Sequence, residues 1–295
     1  MPVRVIESKQ NARLKELRKA LAGTGRATAR LAGIEGPHLL EEALRARLRV
    51  AAMFVAQGSE GLIEAIHLPP ETEILRLPKK LLDAALATET PQPVAALVEP
   101  PEWQWDHMLG VRKRTAPLVI VLAGVQDPGN LGTILRSAEA FGATGVVSLP
   151  GTVSAWNPKA VRASAGSVFR VPLMTANEND CSERLREAGV RVLATTSHAA
   201  QPANLVDMAG PIALVIGNEG NGVADDLIAR ADAKVTIPCP GPVESLNAAV
   251  AASVLLYEAA RQRGLPHPFS GTVRRDGKRV GKHMLPESGR RGTAR

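Results

Sequence analysis

The sequence predicts an α/β protein: a parallel sheet in its C-terminal half, preceded by a smaller α/β domain. Three observations carry this prediction. Continuous apolar runs recur, LVIVLAGV at 118–125 and IALVIG at 212–217, as strands buried on both faces require. Segments of helical period lie between them. A stretch rich in Pro, Trp and charge, around 99–116, separates the two halves. With 295 residues, 45% of them hydrophobic, the chain is long enough for two domains with real cores. The expected division is 1–100, a linker at 101–116, a second domain at 117–266, and a basic, disordered tail at 267–295.

Taken in order, residues 7–22 predict a helix, with Ser8 as cap and Leu14, Leu17 and Leu21 at helical spacing. Gly36-Pro37 breaks the chain, and a second helix then carries Leu39, Leu40, Ala43 and Leu44. VAAMFVA (50–56) reads as a buried strand and 60–66 as a short helix. ILRLPKKLLDAAL (74–86) gives a strand, a Pro and a helix, and VAALVEP (94–100) a further strand. In the second half, the strand at 118–125 is followed by a helix over about 131–141. Strands follow at 145–149, 191–197 and 212–217, and an Ala-rich helix spans about 246–263. Strands alternating with helices predict a parallel sheet with helices on both faces.

Aromatic residues make up only 3% of the chain. The core must therefore be aliphatic, and a base-stacking sheet of exposed Phe or Tyr is excluded. The net charge of +7 is unevenly placed. Residues 1–30 hold eight Lys/Arg against two acids, as do residues 271–295, which leaves 31–270 mildly acidic. Basic ends suit a polyanionic partner such as RNA, and equally a solubilising tail. Cys181 and Cys239 stand far apart without metal-ligand spacing, so a reducing cytoplasm is expected and no metal. No apolar run reaches the length of a membrane span, and the N-terminus lacks the apolar stretch of a signal peptide.

Three motifs carry chemistry. QDPGNLGTILRSAEAFGATGVV (126–147) begins at the C-terminal end of a strand, where open α/β sheets bind ligands. Gly129 and Gly132 suggest tight turns, Asn130 a position just before the helix, and Arg136 a polar residue on an otherwise apolar helix. The G-x-G-x-x-G spacing and the acid of a dinucleotide site are absent, which argues against a nicotinamide enzyme. LVIGNEGNGV (214–223) runs a strand into a loop with Gly217, Gly220 and Gly222, where a ligand could approach the backbone, and places Glu219 among them. IPCPGPVESLNAAVAASVLLYEAAR (237–261) joins a strand end, three Pro, and Ser245, Leu246 and Asn247 at the start of a helix. Taken singly, Asn130 and Ser245 read equally as helix caps, Arg136 as a surface arginine and Glu219 as a solvated loop acid.

In this order and spacing, the three motifs resemble the signature set of the SpoU/TrmH family of RNA 2′-O-ribose methyltransferases, within the SPOUT superfamily. The resemblance covers 117–263. AWNPKAVRASAGSVFRVPL (155–173) adds to it through Arg162, Ser164 and Gly166, an Arg-x-Ser-x-Gly stretch. Residues 1–98 more loosely resemble the substrate-binding domain fused ahead of this core, through Ser8, Asn11, Lys15, Glu35 and Gly36. The resemblance implies a SPOUT-type parallel sheet with a C-terminal trefoil knot, which base rates alone would argue against. It implies S-adenosyl-L-methionine as cofactor. Asn130, Arg136, Glu219, Ser245 and Asn247 become active-site residues. Gly217, Ile237 and Leu246 become backbone contacts to the adenosine, with Thr195 and Thr196 bordering the adenine.

The partner implied is RNA, ribosomal before transfer RNA, and a homodimer is expected. Ala248, Val250, Val254 and Leu255 of the last helix would supply either a dimer face or core. Arginine keeps its proton at ordinary pH, so Arg136 is read as stabilising a developing alkoxide and clamping a phosphate, with Asn130 and Glu219 holding it and the ribose. Base methylation by the same fold, and a non-catalytic RNA-binding or ribosome-assembly protein, remain the alternatives.

Overall fold

Two β-sheets organise the chain in the computed structural model, which describes residues 3–22, 31–86, 88–110, 116–197, 200–242 and 245–264. The expected tail at 267–295 and residues 111–115 of the expected linker lie outside the described residues.

The first half runs β1 (Val3–Val5), α1 (Ala12–Leu21), β2 (Ala32–Glu35), α2 (Pro37–Arg45), β3 (Val50–Ala56), α3 (Gly61–Ala65), β4 (Glu73–Leu77), α4 (Lys79–Leu86) and β5 (Val94–Val98). Its sheet has the order β1-β4-β3-β5-β2. β1, β4 and β3 are parallel, while β5 is antiparallel to both β3 and β2. β3 is apolar throughout because both of its faces are covered. Phe54 and Ala56 pack with α1 and α4, and Met53 and Val55 face the opposite layer. Helix α1 starts later than its pattern suggested. Asn11 caps it by accepting from the Arg13 and Leu14 amides, whereas Ser8 accepts from Gln10 in the turn before. Leu14 and Leu17 are fully buried, and truncating either to Ala costs about 3 kcal/mol.

Between the halves lies α5 (Trp105–Met108), so the expected linker is partly structured. Met108 is fully buried beneath Gly145, where a Cβ would sit 2.4 Å from the Met108 Cγ.

The second half runs β6 (Leu118–Ala123), α6 (Pro128–Ala140), β7 (Gly145–Ser148), α7 (Pro158–Ser164), β8 (Leu173–Thr175), α8 (Glu178–Glu187), β9 (Arg191–Thr195), β10 (Gln201–Pro202), β11 (Ile212–Gly217), α9 (Asp225–Arg230), β12 (Ala233–Thr236) and α10 (Ala248–Gln262). The sheet order is β10-β12-β9-β11-β6-β7-β8, and every pairing is parallel. Alternate residues of β6 serve opposite layers. Leu118, Ile120 and Leu122 pack with α6, α7 and α10, while Val119 and Val121 pack with α5, α8 and α9. The first of these cores continues into the first half through Ile34, Leu39, Leu40 and Met53, so residues 1–263 form one unit.

Helix α10 divides the residues expected to supply either a dimer face or core. Ala248 and Leu255 are buried core, whereas Val250, Val254 and Tyr257 are exposed. Its end is pinned by Arg263. That guanidinium donates to the carbonyls of Met208 (2.9 Å), Ala116 (2.8 Å), Pro117 (3.0 Å) and Gly210 (2.5 Å). Burial lowers the Arg263 pKa, yet the four acceptors keep its donors satisfied.

Candidate active site

Helix α6 begins at the C-terminal end of β6, and the first site residues follow from how it begins. Asp127 is its N-cap and Pro128 its first residue, a pairing that suits the missing Pro N–H. The Asp127 carboxylate accepts from the Asn130 amide at 2.8 Å and from Lys159 Nζ at 2.9 Å. These two contacts, Lys159 first, hold its pKa below the ordinary aspartate value. Asn130 therefore lies inside the first turn, not ahead of it, and its side chain is released from capping. Gly129 and Gly132 likewise serve the helix and not a turn. A Cβ on Gly132 would sit 2.4 Å from the Ala160 carbonyl, so glycine is what lets α7 cross α6 this closely.

The Asn130 side chain is the centre of a chain of hydrogen bonds that joins all three motifs. Its Nδ2 donates to Glu219 Oε1 at 3.0 Å, and its Oδ1 accepts from Asn247 Nδ2 at 3.0 Å. Asn247 is itself the N-cap of α10, its Oδ1 accepting from the Ala249 and Val250 amides. Glu219 also accepts from the backbone amides of Gln126 and Asp127, both at 3.2 Å. Partial burial raises the Glu219 pKa, and the bonds from Asn130, Gln126 and Asp127 outweigh it, leaving the carboxyl below its usual value. Residues 89 and 117 positions from Asn130 thus meet at one strand end.

The loop bearing Glu219 is shaped by its own residues. Asn218 Oδ1 accepts from the Gly220 and Asn221 amides, and its Nδ2 donates to the Gly124 carbonyl at 2.8 Å. The Asn218 and Gly222 backbones exchange two hydrogen bonds. A Cβ on Gly217 would lie 2.1 Å from the Gly222 carbonyl carbon. The space freed by that glycine is therefore taken by the chain itself.

Arg136 and Ser245 are not drawn into this network. Arg136 is exposed on α6, six residues and about 9 Å along the axis from Asn130. No side chain among the described residues pairs with it. Ser245 is exposed two residues ahead of Asn247, the cap of α10. Asp127, Lys159 and Asn218 belong to the site and were missed by sequence reasoning. Asp-Pro ahead of a helix and Asn at a strand end were the available signals.

Thr195 ends β9 and Thr196 follows it, Gly217 ends β11, and Ile237 follows β12; these strands are neighbours in the order β12-β9-β11. Thr195 Oγ1 donates to the Val215 carbonyl at 2.8 Å, and the Thr196 amide to Val235. The segment from Ile237 to Asn247 leaves β12 and arrives beside Asn130 at the end of β6. The neighbouring ends of β12, β9 and β11 form a cradle, with Ile237 half-buried just after β12 and Leu246 half-buried just ahead of the α10 cap. A nucleoside fits this donor set: apolar walls for a base, backbone groups for its edges. A separate cavity of about 570 Å³ lies on the other side of the sheet, between α8 and α9, and includes none of these residues. Among the described residues no group of three or more His, Cys, Asp or Glu could hold a metal ion.

Comparison with known proteins identifies relatives of the chain. Residues 117–257 match the SpoU rRNA methylase family, and residues 11–96 an MRM3-like substrate-binding domain. The chain is 34% identical over 262 residues to the 23S rRNA (guanosine(2553)-2′-O)-methyltransferase RlmP of Bacillus subtilis, covering 85% of this chain and 97% of that one. Among solved structures it resembles the SpoU methyltransferase AviRb from Streptomyces viridochromogenes in complex with AdoMet, with a TM-score of 0.74, 30% identity, and 86% and 98% of the two chains covered. The AdoMet-bound rRNA methyltransferase from Sinorhizobium meliloti gives a TM-score of 0.77 at 29% identity, with 88% and 98% covered.

Proposed function

This chain belongs to the SpoU rRNA methylase family, whose members are S-adenosylmethionine-dependent methyltransferases, and we propose that it methylates a ribose 2′-hydroxyl of 23S ribosomal RNA. The observation that carries this reading is the Glu219–Asn130–Asn247 chain, because it brings three motifs from distant sequence to one point beside the cradle. The AdoMet-bound relatives and RlmP, which acts on a guanosine 2′-oxygen, support the donor and the class of acceptor.

When bound, S-adenosylmethionine supplies a methyl group already activated by its sulfonium charge. The protein's task is then to bring a hydroxyl into line with that methyl, and positioning supplies much of the acceleration. Thr195, Thr196, Gly217, Ile237 and Leu246 hold the adenosine. Asn130, fixed from both sides, presents the ribose. Arg136, unpaired among the described residues, clamps a phosphate and stabilises the developing alkoxide. Ser245, exposed ahead of the α10 cap, meets the substrate or the donor.

In this reading residues 1–100 form the RNA-binding domain and 117–266 the transferase domain, with the trefoil knot formed by the last part of the latter. The exposed Val250, Val254 and Tyr257 of α10 are the face on which two copies pair as a homodimer. No described helix is long and apolar enough to cross a membrane, and the proposed place of action is the cytoplasm, with the ribosome.

The test is transfer of tritium from labelled S-adenosylmethionine to bacterial ribosomal subunits and naked RNA, wild type beside Arg136→Ala, followed by alkaline digestion. Alkali cannot cut beside a methylated 2′-oxygen. Label in resistant dinucleotides, lost in the variant, is the expected result. Label only in mononucleotides would mean base methylation, and no label with any RNA would mean a binding protein.

A further inference from the structure

The Arg-x-Ser-x-Gly stretch is not part of the hydrogen-bonded site. Arg162 and Gly166 face the first half of the chain, whereas Ser164 packs beside Gly132 of α6. Arg162 Nη1 lies 3.7 Å from Glu35 Oε2, on a side chain only 4% exposed. The other Glu35 oxygen accepts from Thr88 Oγ1 and the Gln92 amide, while Oε2 is buried without a hydrogen bond. Arg162 is therefore the cation that answers this carboxylate. Gly166 has φ +90°, and a Cβ there would lie 2.7 Å from the Glu42 Cβ, so helix α2 seats directly on this glycine.

Arg170 completes the contact. Its Nη1 donates to Glu42 Oε2 at 2.6 Å. Its Nε and Nη2 form a fork on Glu139, at 2.5 and 3.1 Å. Glu42 lies on α2 of the substrate-binding half, with 12% of its side chain exposed; Glu139 lies on α6, one turn beyond Arg136. One guanidinium thus ties the substrate-binding half to the helix carrying Asn130 and Arg136. Such a planar, three-point link has a fixed geometry that an ammonium cannot copy.

We propose that Arg170, assisted by Arg162, is a positioning residue. It fixes RNA held by the N-terminal domain in register with Arg136 on α6, by bridging Glu42 and Glu139. This rests on the methyltransferase reading above. RNA affinity belongs to surfaces that Arg170 does not form, so its loss should misplace the bound ribose without releasing the RNA.

The test compares full-length wild type, Arg170→Gln, Arg170→Lys, Glu42→Gln and Arg45→Gln. The measurements are kcat and KM for RNA, S-adenosylmethionine affinity by calorimetry, and amide exchange along α2 and α6. Arg170→Gln should lower kcat about 10- to 100-fold, leave KM and cofactor affinity within twofold, and speed exchange in both helices. Arg170→Lys should recover part of kcat. Arg45→Gln removes a Glu42 partner on α2 itself, so it should leave kcat unchanged. Glu42→Gln keeps the side chain's shape; it should reproduce the kcat loss, and it answers the question if Arg170→Gln does not fold. Unchanged kcat in Arg170→Gln, a rise in KM alone, or an equal loss in Arg45→Gln would overturn the proposal. Should the wild type transfer no methyl to any RNA, the enzymatic reading fails. The link between the two halves is then decided by exchange: unchanged rates in α2 and α6 would refute it.

Discussion

At the scale of single residues, Arg136 and Glu219 invite opposite expectations. Arg136 lies outside the Asn130 network, so its removal should leave the fold intact. Arg136→Ala should lose about 10²-fold or more in methyl transfer while retaining its melting temperature, and Arg136→Lys should recover only part of the rate. Glu219 holds its proton less tightly in the folded protein than in the unfolded chain. Its stabilising contribution is then fully present above the unfolded pKa of about 4.3, and is lost as pH falls through the lower folded value. Wild type should melt above Glu219→Gln at neutral pH, and the gap should close in acid below the usual carboxylate range. A gap that persists there would show that Glu219 contributes through something other than its charge.

Cys181 and Cys239 separate in the same way. Burial, with nearby Asp180, pushes the Cys181 thiol up to about 12, whereas Cys239 is half-exposed. At pH 8 a thiol reagent should modify Cys239 and spare Cys181 in the folded protein, with both reacting in denaturant.

At the scale of elements, legibility followed apolar content. The strands at 50–56, 118–123 and 212–217 announce themselves because both of their faces are covered. Helix α8 does not. Only Cys181 and Leu185 of its ten residues are buried, so its periodicity is too weak to read. β8, β10 and β12 are short edge or near-edge pieces defined by their neighbours. Within the site, Asn130, Glu219 and Asn247 were found through the resemblance, and the structure connects them. Asp127 and Lys159 were not, because an ion pair 32 residues apart leaves no local pattern. The same limit hid the clamp on Arg170, which spans 128 residues. At the end of α10, replacing Arg263 by Met would leave the Met208, Ala116 and Gly210 carbonyls without their donor, while Pro117 keeps the Ile212 amide. We expect a loss of about 3 kcal/mol, read as a lower denaturant midpoint, and little recovery in Arg263→Lys.

For the whole molecule, charge and surface set the expectations. If both basic ends meet phosphate, RNA affinity should fall steeply with salt, and removing 267–295 should flatten the plot of log affinity against log salt. An unchanged slope would assign the tail to solubility. If the proposed homodimer pairs through the exposed face of α10, Val254→Glu should be a monomer in light scattering, with the chain still folded.

Arg263 also sets an order of events during synthesis. The carbonyls it binds include those of Ala116 and Pro117, at the doorway to β6, yet the residue itself comes at the far end of α10. While the ribosome is making α7 through β12, the second sheet has strands but no fastening for its last helix. The first sheet has all its strands by Val98, yet Ile34, Leu39, Leu40 and Met53 still await the second half that covers them. Both halves therefore depend on the late-made segments before their shared core can close. For that interval apolar residues of both sheets lack their cover, the condition in which a partly made chain aggregates.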